Sequence, residues 1–444
     1  MYQTIIEKAE AITPEMIAYR RDFHKYAESG WLEMRTASII ARRLTDLGYE
    51  VLMGADVCKT DARLGLPSEE VLEKNYNRAI EQGADPEFVK ATRGGYTGVI
   101  GILRCGEGPT VAMRFDIDAL GVNESMDEDH FPAKEGFASV NAGTMHACGH
   151  DGHAASGLGV ASVLMDIKDH LHGTVKLIFQ PGEEGLRGAK SIVEAGHLDD
   201  VDYVLGSHTT GLGKANYMTE SNGLVIADDI TPGSHGCLAS FKYDVTFRGL
   251  AAHAGGSPHL GKNALLAAAA AVTNLYAIPR HSAGASRINV GRLIAGSGRN
   301  VIADEAFMEM EVRGETTEIN EYMSAYALRV LENCAAMHDC TVKIKLMGAA
   351  EGLVSDTPLM EKIADVCGNK MGMKVSDKMS VKLGGSEDFS YMVNRVQSHG
   401  GQGVFMRVRS AVTSGNHKRD YDFDESYMTK AVKAFCGMVY ELMK

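Results

Sequence analysis

Between Thr97 and His208, short apolar runs alternate with a helical stretch, and this rhythm restricts the chain to few architectures. TGVIGIL (97–103) and PTVAMRFDIDAL (109–120) are apolar without a polar face, which predicts strands covered on both sides. A small-residue stretch from His153 to Met165 predicts a helix. GTVKLIFQPGEEG then gives a strand over 173–179 that breaks at Pro181-Gly182, and VDYVLGSH (201–208) gives another. Strand–helix–strand order of this kind predicts an α/β fold around a mostly parallel sheet. In such sheets functional groups collect beyond the carboxyl ends of the strands. Glu183, Glu184 and His208 fall there.

The rest of the chain has a different pattern. Ile12 to Leu47 is helical in period and stops at Gly48, and Tyr49 to Met53 reads as a short strand. The polar segment 55–95 predicts a helical insertion with nothing catalytic in it. From Pro232 the order becomes β-α-β-β-α-β, the ferredoxin-like unit. This places an α+β domain at 232–351, inserted into an α/β domain made of 1–231 and 352–444. A length of 444 residues suits two cores. A net charge of −13 argues against non-specific binding to nucleic acid or anionic membranes, yet leaves an anionic small molecule open. No apolar run approaches the roughly 18 residues of a membrane span. The N-terminus lacks the apolar run of a signal peptide, so a cytoplasmic protein is expected. The eight scattered cysteines then predict no disulfide framework.

MHACGHDGH (145–153) carries the densest chemistry. Cys148 and His150 converge on one point only if the backbone bends, which Gly149 permits. A surface loop that happens to hold histidines is the plainer alternative. Glu183-Glu184 could face solvent, or one could ligate a metal while its neighbour acts as general base on a water. His208 ends a strand and His417 lies in SGNHKRDYDFDE. Each alone reads as ordinary. Together with Cys148, His150 and Glu184 they make five donors of types that bind zinc or manganese, enough, with one bridging, for two ions roughly 3.5–4 Å apart. Asp116 and Asp118 would either orient a ligating histidine or cap the next turn. His253 in GLAAHAGGSPH, Asn300 and Arg313 are the groups that an oxyanion and a substrate carboxylate need. For Arg313 a solvated strand end is the alternative.

The stretches RRDFHKYAESGWLE, FDIDAL, MHACGHDGH, FQPGEEG, GSH, GSGRNVIADEA, GGSEDF and NHKRDYDFDE, in this order along nearly the whole chain, resemble the M20 metallopeptidase family. The HACGHDGH form resembles its aminoacylase-like amidohydrolases, and HKYAESGW with the 55–95 insertion resembles the branch that acts on p-aminobenzoyl-glutamate. The resemblance implies a zinc-peptidase-like catalytic domain with an inserted ferredoxin-like dimerisation lid. It implies two divalent ions, Mn²⁺ with Zn²⁺ as the alternative, held by Cys148 (bridging), His150, Glu184, His208 and His417. Glu183 would be the base. His253 would reach into the site of a partner protomer to steady the oxyanion, and Asn300 and Arg313 would hold the substrate carboxylate, with Arg299 near them. The implied reaction is cleavage of the amide bond of an N-acyl amino acid, p-aminobenzoyl-glutamate being the leading case. The alternatives are a broad-specificity aminoacylase, a dipeptidase or a partner-dependent subunit. A homodimer or a heterodimer with a homologous subunit is expected. Gly182, the GSHTTG stretch and Ala303 depart from the family pattern without removing a ligand, and leave the substrate open.

Overall fold

Helix His150–Asp166 is buried almost all round, so its position fixes much of what surrounds it. Its small residues make this burial possible. A Cβ on Gly157 would lie 2.6 Å from the Phe179 ring and 2.9 Å from that of Phe115, so no side chain fits between helix and sheet. The helix begins at Gly149, whose φ of 86° lies in the left-handed region that glycine enters without strain. Helices Thr13–Lys25, Met34–Leu47 and Ser426–Met443 pack around it.

This computed structural model describes residues 1–209 and 228–444, with only the backbone of the hairpin Tyr217–Glu220 and Gly223–Ile226 between them. Thr210 and Gly211 of the GSHTTG stretch lie outside the described residues. The chain divides into two compact units. One comprises Met1–His235, Val354–Lys382 and Asp388–Lys444; the other comprises Gly236–Leu353 and Leu383–Glu387.

The first unit is built on a seven-stranded sheet with spatial order Glu50–Met53, Val99–Arg104, Thr174–Gln180, Thr110–Asp116, Tyr203–His208, Gln402–Val408 and Ile230–Thr231. The sheet is mixed, not mostly parallel as the sequence pattern predicts. Thr174–Gln180, Thr110–Asp116, Tyr203–His208 and Gln402–Val408 run parallel. The three outer pairings are antiparallel. An apolar run such as TGVIGIL is covered on both faces whichever way it points, so its composition carries no direction. The parallel centre still brings Asp116, Gln180 and His208, each the last residue of its strand, to one edge. The 55–95 segment is packed in its helical part. Ser68 caps helix Glu69–Glu81, and Leu72 and Ala79 join Leu32, Met34, Ala84 and Val89 in a small core of their own. Among the described residues no helix is long and apolar enough to cross a membrane.

The second unit has strand–helix–strand–strand–helix–strand chain order and an antiparallel sheet ordered Ser286–Ala295, Glu305–Gly314, Ala239–Arg248, Thr341–Ala350. Helices Ala264–Tyr276 and Thr317–Met337, capped by Asn263 and Thr316, cover one face. Val245, Phe247, Ala268, Met308, Val312 and Leu331 form part of the core between helices and sheet.

Behind the strand ends of the first unit lies a buried ionic cluster. Arg20 Nε donates to Asp151 Oδ2 at 2.9 Å, and Arg20 also reaches Asp422 and Glu425 near the C-terminus. His24 bridges Asp151 Oδ2 at 2.9 Å and Glu124 Oε1 at 2.8 Å. Burial alone would push the His24 imidazole down, but its bonds to Asp151 and Glu124 push it up to about 9. Burial would likewise raise Glu124, but His130 and His24 hold it down to about 2. The signs follow from linkage. The His24 contribution is fully present below 6.5 and is lost as pH rises towards 9. The Glu124 contribution is present above 4.5 and is lost as pH falls towards 2. Chemical denaturation across pH is therefore expected to show greatest stability between the two windows. His24→Gln should cost on the order of 1–3 kcal/mol near pH 6. That deficit should shrink towards pH 9, and a deficit independent of pH would contradict the protonated bridge.

Candidate metal centre

The start of one helix, the turn after one strand, the end of another strand and one loop supply the donors. The bend at Gly149 puts Cys148 and His150 on one side of the helix start. The Cys148, His150 and His208 donor atoms all lie within 4.8 Å of one another. The same holds for Cys148, Glu184 and His417, and for His150, Glu183 and Glu184. Cys148 is thus common to two donor triads. Cys148 Sγ is 3.4 Å from His208 Nε2, and His417 Nε2 is 3.4 Å from Glu184 Oε1.

Each inner imidazole is oriented by a carbonyl. His150 Nδ1 lies 2.9 Å from the Asp118 carbonyl and His208 Nδ1 2.7 Å from that of Thr209. A carbonyl only accepts, so both rings carry a proton on Nδ1; His208 presents Nε2 as a lone pair, and His150 would do so once a cation replaces its Nε2 proton. The turn with the two glutamates is held by its amides. Asp118 accepts from Glu183 N–H at 3.0 Å and Glu184 N–H at 2.9 Å, and Glu33 accepts from Gly182 N–H at 2.8 Å. His417 arrives on a loop strained for it. Its φ is 67°, rare for a non-glycine residue, and its N–H bonds the Ala147 carbonyl at 2.8 Å. Asn416 Nδ2 donates to Cys148 Sγ at 3.1 Å.

The electrostatics favour a cation. The neighbouring Cys148 thiol and Glu184 carboxylate push the His417 imidazole up to about 10. Burial would lower His150, but Asp116, Asp118 and Cys148 push it well above the usual range. Burial, reinforced by His153 and Arg407, keeps His208 far down and therefore neutral. His150 Nε2 and Glu184 Oε1 are buried without a hydrogen bond. Buried polar atoms ordinarily have partners, and these two point into the shared space of the triads. Thiolate, imidazole and carboxylate with open valences are a donor set that fits divalent cations.

Asp116 and Asp118 act differently from each other. Asp116 is bonded to His153 Nδ1 and to Arg114, while His153 Nε2 accepts from Thr209 N–H at 3.0 Å. Both nitrogens of His153 are therefore engaged, and it offers no lone pair to a metal although it shares a cluster with Asp116 and His150. The Arg114 charge helps hold the Asp116 carboxyl well below its usual range against the effect of burial.

His253, Asn300 and Arg313 belong to the second unit. His253 and Asn300 share a loop cluster, in which Ala254 N–H bonds the Asn300 carbonyl at 3.0 Å. His253 Nδ1 accepts from Gly255 N–H at 3.1 Å and Gly256 N–H at 2.9 Å, so the neutral ring carries its proton on Nε2 and can donate. Arg313 stands apart from them in the sheet and is not a bare solvated strand end. Its Nε and Nη2 grip Glu311 at 2.9 and 3.0 Å.

Residues 112–441 match the family described as Peptidase family M20/M25/M40. The chain belongs to this family. It is 45% identical to the indole-3-acetyl-aspartic acid hydrolase of Enterobacter agglomerans, covering 96% of this chain and 95% of that one. It is 42% identical to one subunit of the p-aminobenzoyl-glutamate hydrolase of Escherichia coli K12, covering 97% and 96%. Among solved structures, the aminobenzoyl-glutamate utilization protein of Klebsiella pneumoniae aligns with a TM-score of 0.80 at 39% identity, over 98% and 97% of the two chains. A Bacillus subtilis protein described as a dinuclear metal binding peptidase from M20 family aligns with a TM-score of 0.62 at 25% identity, over 98% and 99%.

Sequence reasoning left several residues of this M20 site without a role. His153, Glu33 and Asp388 sit inside the family stretches and Arg114 directly before one, but most of their partners are distant in sequence. Asp388 accepts from Gln180 Nε2 at 2.8 Å and from the amides of Gly188 and Ala189 at 3.1 and 3.0 Å. Asp118 offers the sharpest test of the geometry. Asp118→Ala should weaken divalent-cation affinity by about 10–100-fold, the usual effect of removing a group that orients ligands. Chelator competition measures it, with circular dichroism to show the fold retained. Unchanged affinity would mean the Glu183-Glu184 turn is held without Asp118.

Proposed function

We propose that this M20 protein is a two-metal amidohydrolase that splits an N-acyl amino acid at its amide bond. The observation that carries the reading is that Cys148 belongs to two donor triads, with Glu183 in a third that shares His150 and Glu184 with them. Cys148, His150, Glu184, His208 and His417 hold the two ions, manganese as the family resemblance implies, with zinc the other candidate. Such ions polarise the scissile carbonyl and make water a better nucleophile. Glu183 takes the proton from the attacking water and passes it to the leaving amine. His253 of the partner subunit donates from Nε2 to the oxyanion, and Asn300 and Arg313 bind the carboxylate of the leaving amino acid.

The names of the two close relatives share a chemical class, an aromatic acyl group on an acidic amino acid. We assign this chain the same class, with p-aminobenzoyl-glutamate the leading substrate and indole-3-acetyl-aspartate beside it. Glu183→Gln should keep its metal and lose about 10²–10⁴ in kcat, the usual share of a general base. Release of p-aminobenzoate, with metal content measured in parallel, tests it. Substantial activity in the metal-loaded variant would remove Glu183 as the base. A panel with neutral acyl amino acids and dipeptides separates this class from a broad aminoacylase or a dipeptidase.

The second unit supports a dimer. We read its topology as the ferredoxin-like lid of the family. Its edge strand Ser286–Ala295 exposes Leu293 and Ile294, and helix Ala264–Tyr276 exposes Leu265 and Leu266. An unpaired edge with apolar side chains invites another strand. The partner is a second copy or a homologous subunit. Ile294→Asp with Leu266→Asp should give a monomer by light scattering and, because His253 acts across the dimer, should lose activity. An active monomer would sink that role.

A further inference from the structure

The face of the four-stranded sheet that turns away from its helices carries an arrangement the metal chemistry does not use. Ile288, Met310 and Val312 point into the helix-side core, so the alternating residues Arg287, Glu311 and Arg313 share the opposite face. Arg287 stands directly across from Arg313, and Asn289 across from Glu311. Cross-strand neighbours have Cβ atoms about 4.5–5.5 Å apart, and like charges in that position destabilise a sheet. The two arginines line a cleft of about 440 Å³, which Arg280 also borders. Its volume falls in the range of small-ligand sites, about 300–1,000 Å³. Three guanidinium groups face one carboxylate there, in a chain whose net charge is −13.

The one carboxylate does not neutralise the cleft. Glu311 is committed to Arg313 through a two-bond fork, and Arg313 Nη1 faces Ser386 Oγ at 3.5 Å. Arg280 Nη1 donates to the Ile278 carbonyl at 3.1 Å. Among the described residues Arg287 has no polar partner. A planar guanidinium fork matches a carboxylate with two parallel bonds. The open fork of Arg287, beside the Arg313 Nη1 that Glu311 does not use, suits a molecule that carries two carboxylates a few bonds apart, as free or amide-linked glutamate and aspartate do.

We infer that Arg287, with Arg280 beside it, binds the side-chain carboxylate of an acidic leaving amino acid and sets the preference for glutamate or aspartate conjugates. This rests on the reading of Arg313 as the contact to the α-carboxylate. Arg287 touches no reacting atom. It acts through binding, so its signature is KM and not kcat.

The test uses the full-length metal-loaded enzyme with p-aminobenzoyl-glutamate and p-aminobenzoyl-alanine, alongside binding of free glutamate and free alanine followed by the rise in Tm. Arg287→Ala should lower the glutamate-to-alanine ratio of kcat/KM by about 10- to 100-fold, carried by KM for the glutamate conjugate. Arg287→Lys should restore part of it, and Arg287→Glu should drive the ratio lower still. Arg313→Ala should weaken both conjugates together. Free glutamate should raise the Tm of the wild type but not that of Arg287→Ala. An Arg287→Ala enzyme with the wild-type ratio overturns the inference while the hydrolase reading stands. If the wild type cleaves neither conjugate, the hydrolase reading falls, and the glutamate-dependent Tm shift alone decides whether the cleft binds dicarboxylates through Arg287.

Discussion

Asp118 is the residue on which the candidate metal centre depends most. Its carbonyl fixes the His150 ring, and its carboxylate holds the amides of Glu183 and Glu184. One position, two residues past the strand Thr110–Asp116, thereby sets three side chains from two other segments. The arrangement is costly to assemble, since Asp118 is 1% exposed and a buried carboxylate loses several kcal/mol of hydration. Two hydrogen bonds to an ionised acceptor, each worth roughly 1.5–3 kcal/mol, offset much of that. The result is a turn whose backbone cannot drift without stranding a charge. A metal-binding geometry needs that rigidity, because a ligand displaced by even a fraction of an ångström no longer completes the coordination shell.

Around this core the polar groups fall into two layers with opposite character. The inner layer is satisfied. Asp116 joins Arg114 and His153, His153 joins Thr209, and Asp388 joins Gln180 and the start of the next short helix. The outer layer has open valences on His150 and Glu184, beside Cys148. Partly satisfied polar networks destabilise a protein core. The closed layer supplies the stability that lets the open one persist. His153 shows how fine the division is: it lies one helical turn from His150, stacked 5.4 Å from it, and its two nitrogens are nonetheless fully used.

The donors were legible in the sequence because each is a chemically unusual residue at a strand end or in a glycine-rich bend, where a purely structural role is harder to supply. Apart from Asp116 and Asp118, their supports were not. Arg20, His24 and Glu33 lie inside RRDFHKYAESGWLE, yet what they hold begins at Thr97 and extends to Glu425, and no periodicity reveals a partner so far away. Strand direction was hidden for a related reason. Val99–Arg104 is a buried apolar run, and only its pairing with Thr174–Gln180 makes it antiparallel. The Glu311–Arg313 pair was within reach, because residues two apart on a strand share a face. The cross-strand position of Arg287 required the register, which the bulge near Val290 shifts only beyond it.

On the proposed reading, the two units carry opposite chemistries. The first gathers a cysteine, imidazoles and carboxylates whose donor atoms converge and so suits cations, which would act on an amide carbonyl. The second gathers guanidinium groups and so attracts carboxylates. Overall charge decides neither, because ionic screening reaches only about 8 Å at physiological salt. A carboxylate at contact distance from Arg287 and Arg313 is governed by those side chains and not by acidic residues a domain away. Keeping the two charge types on separate cores also avoids a local conflict. Arginines packed among the metal donors would form ion pairs with Glu183 and Glu184, as Arg313 does with Glu311, and would close the valences that the cations need.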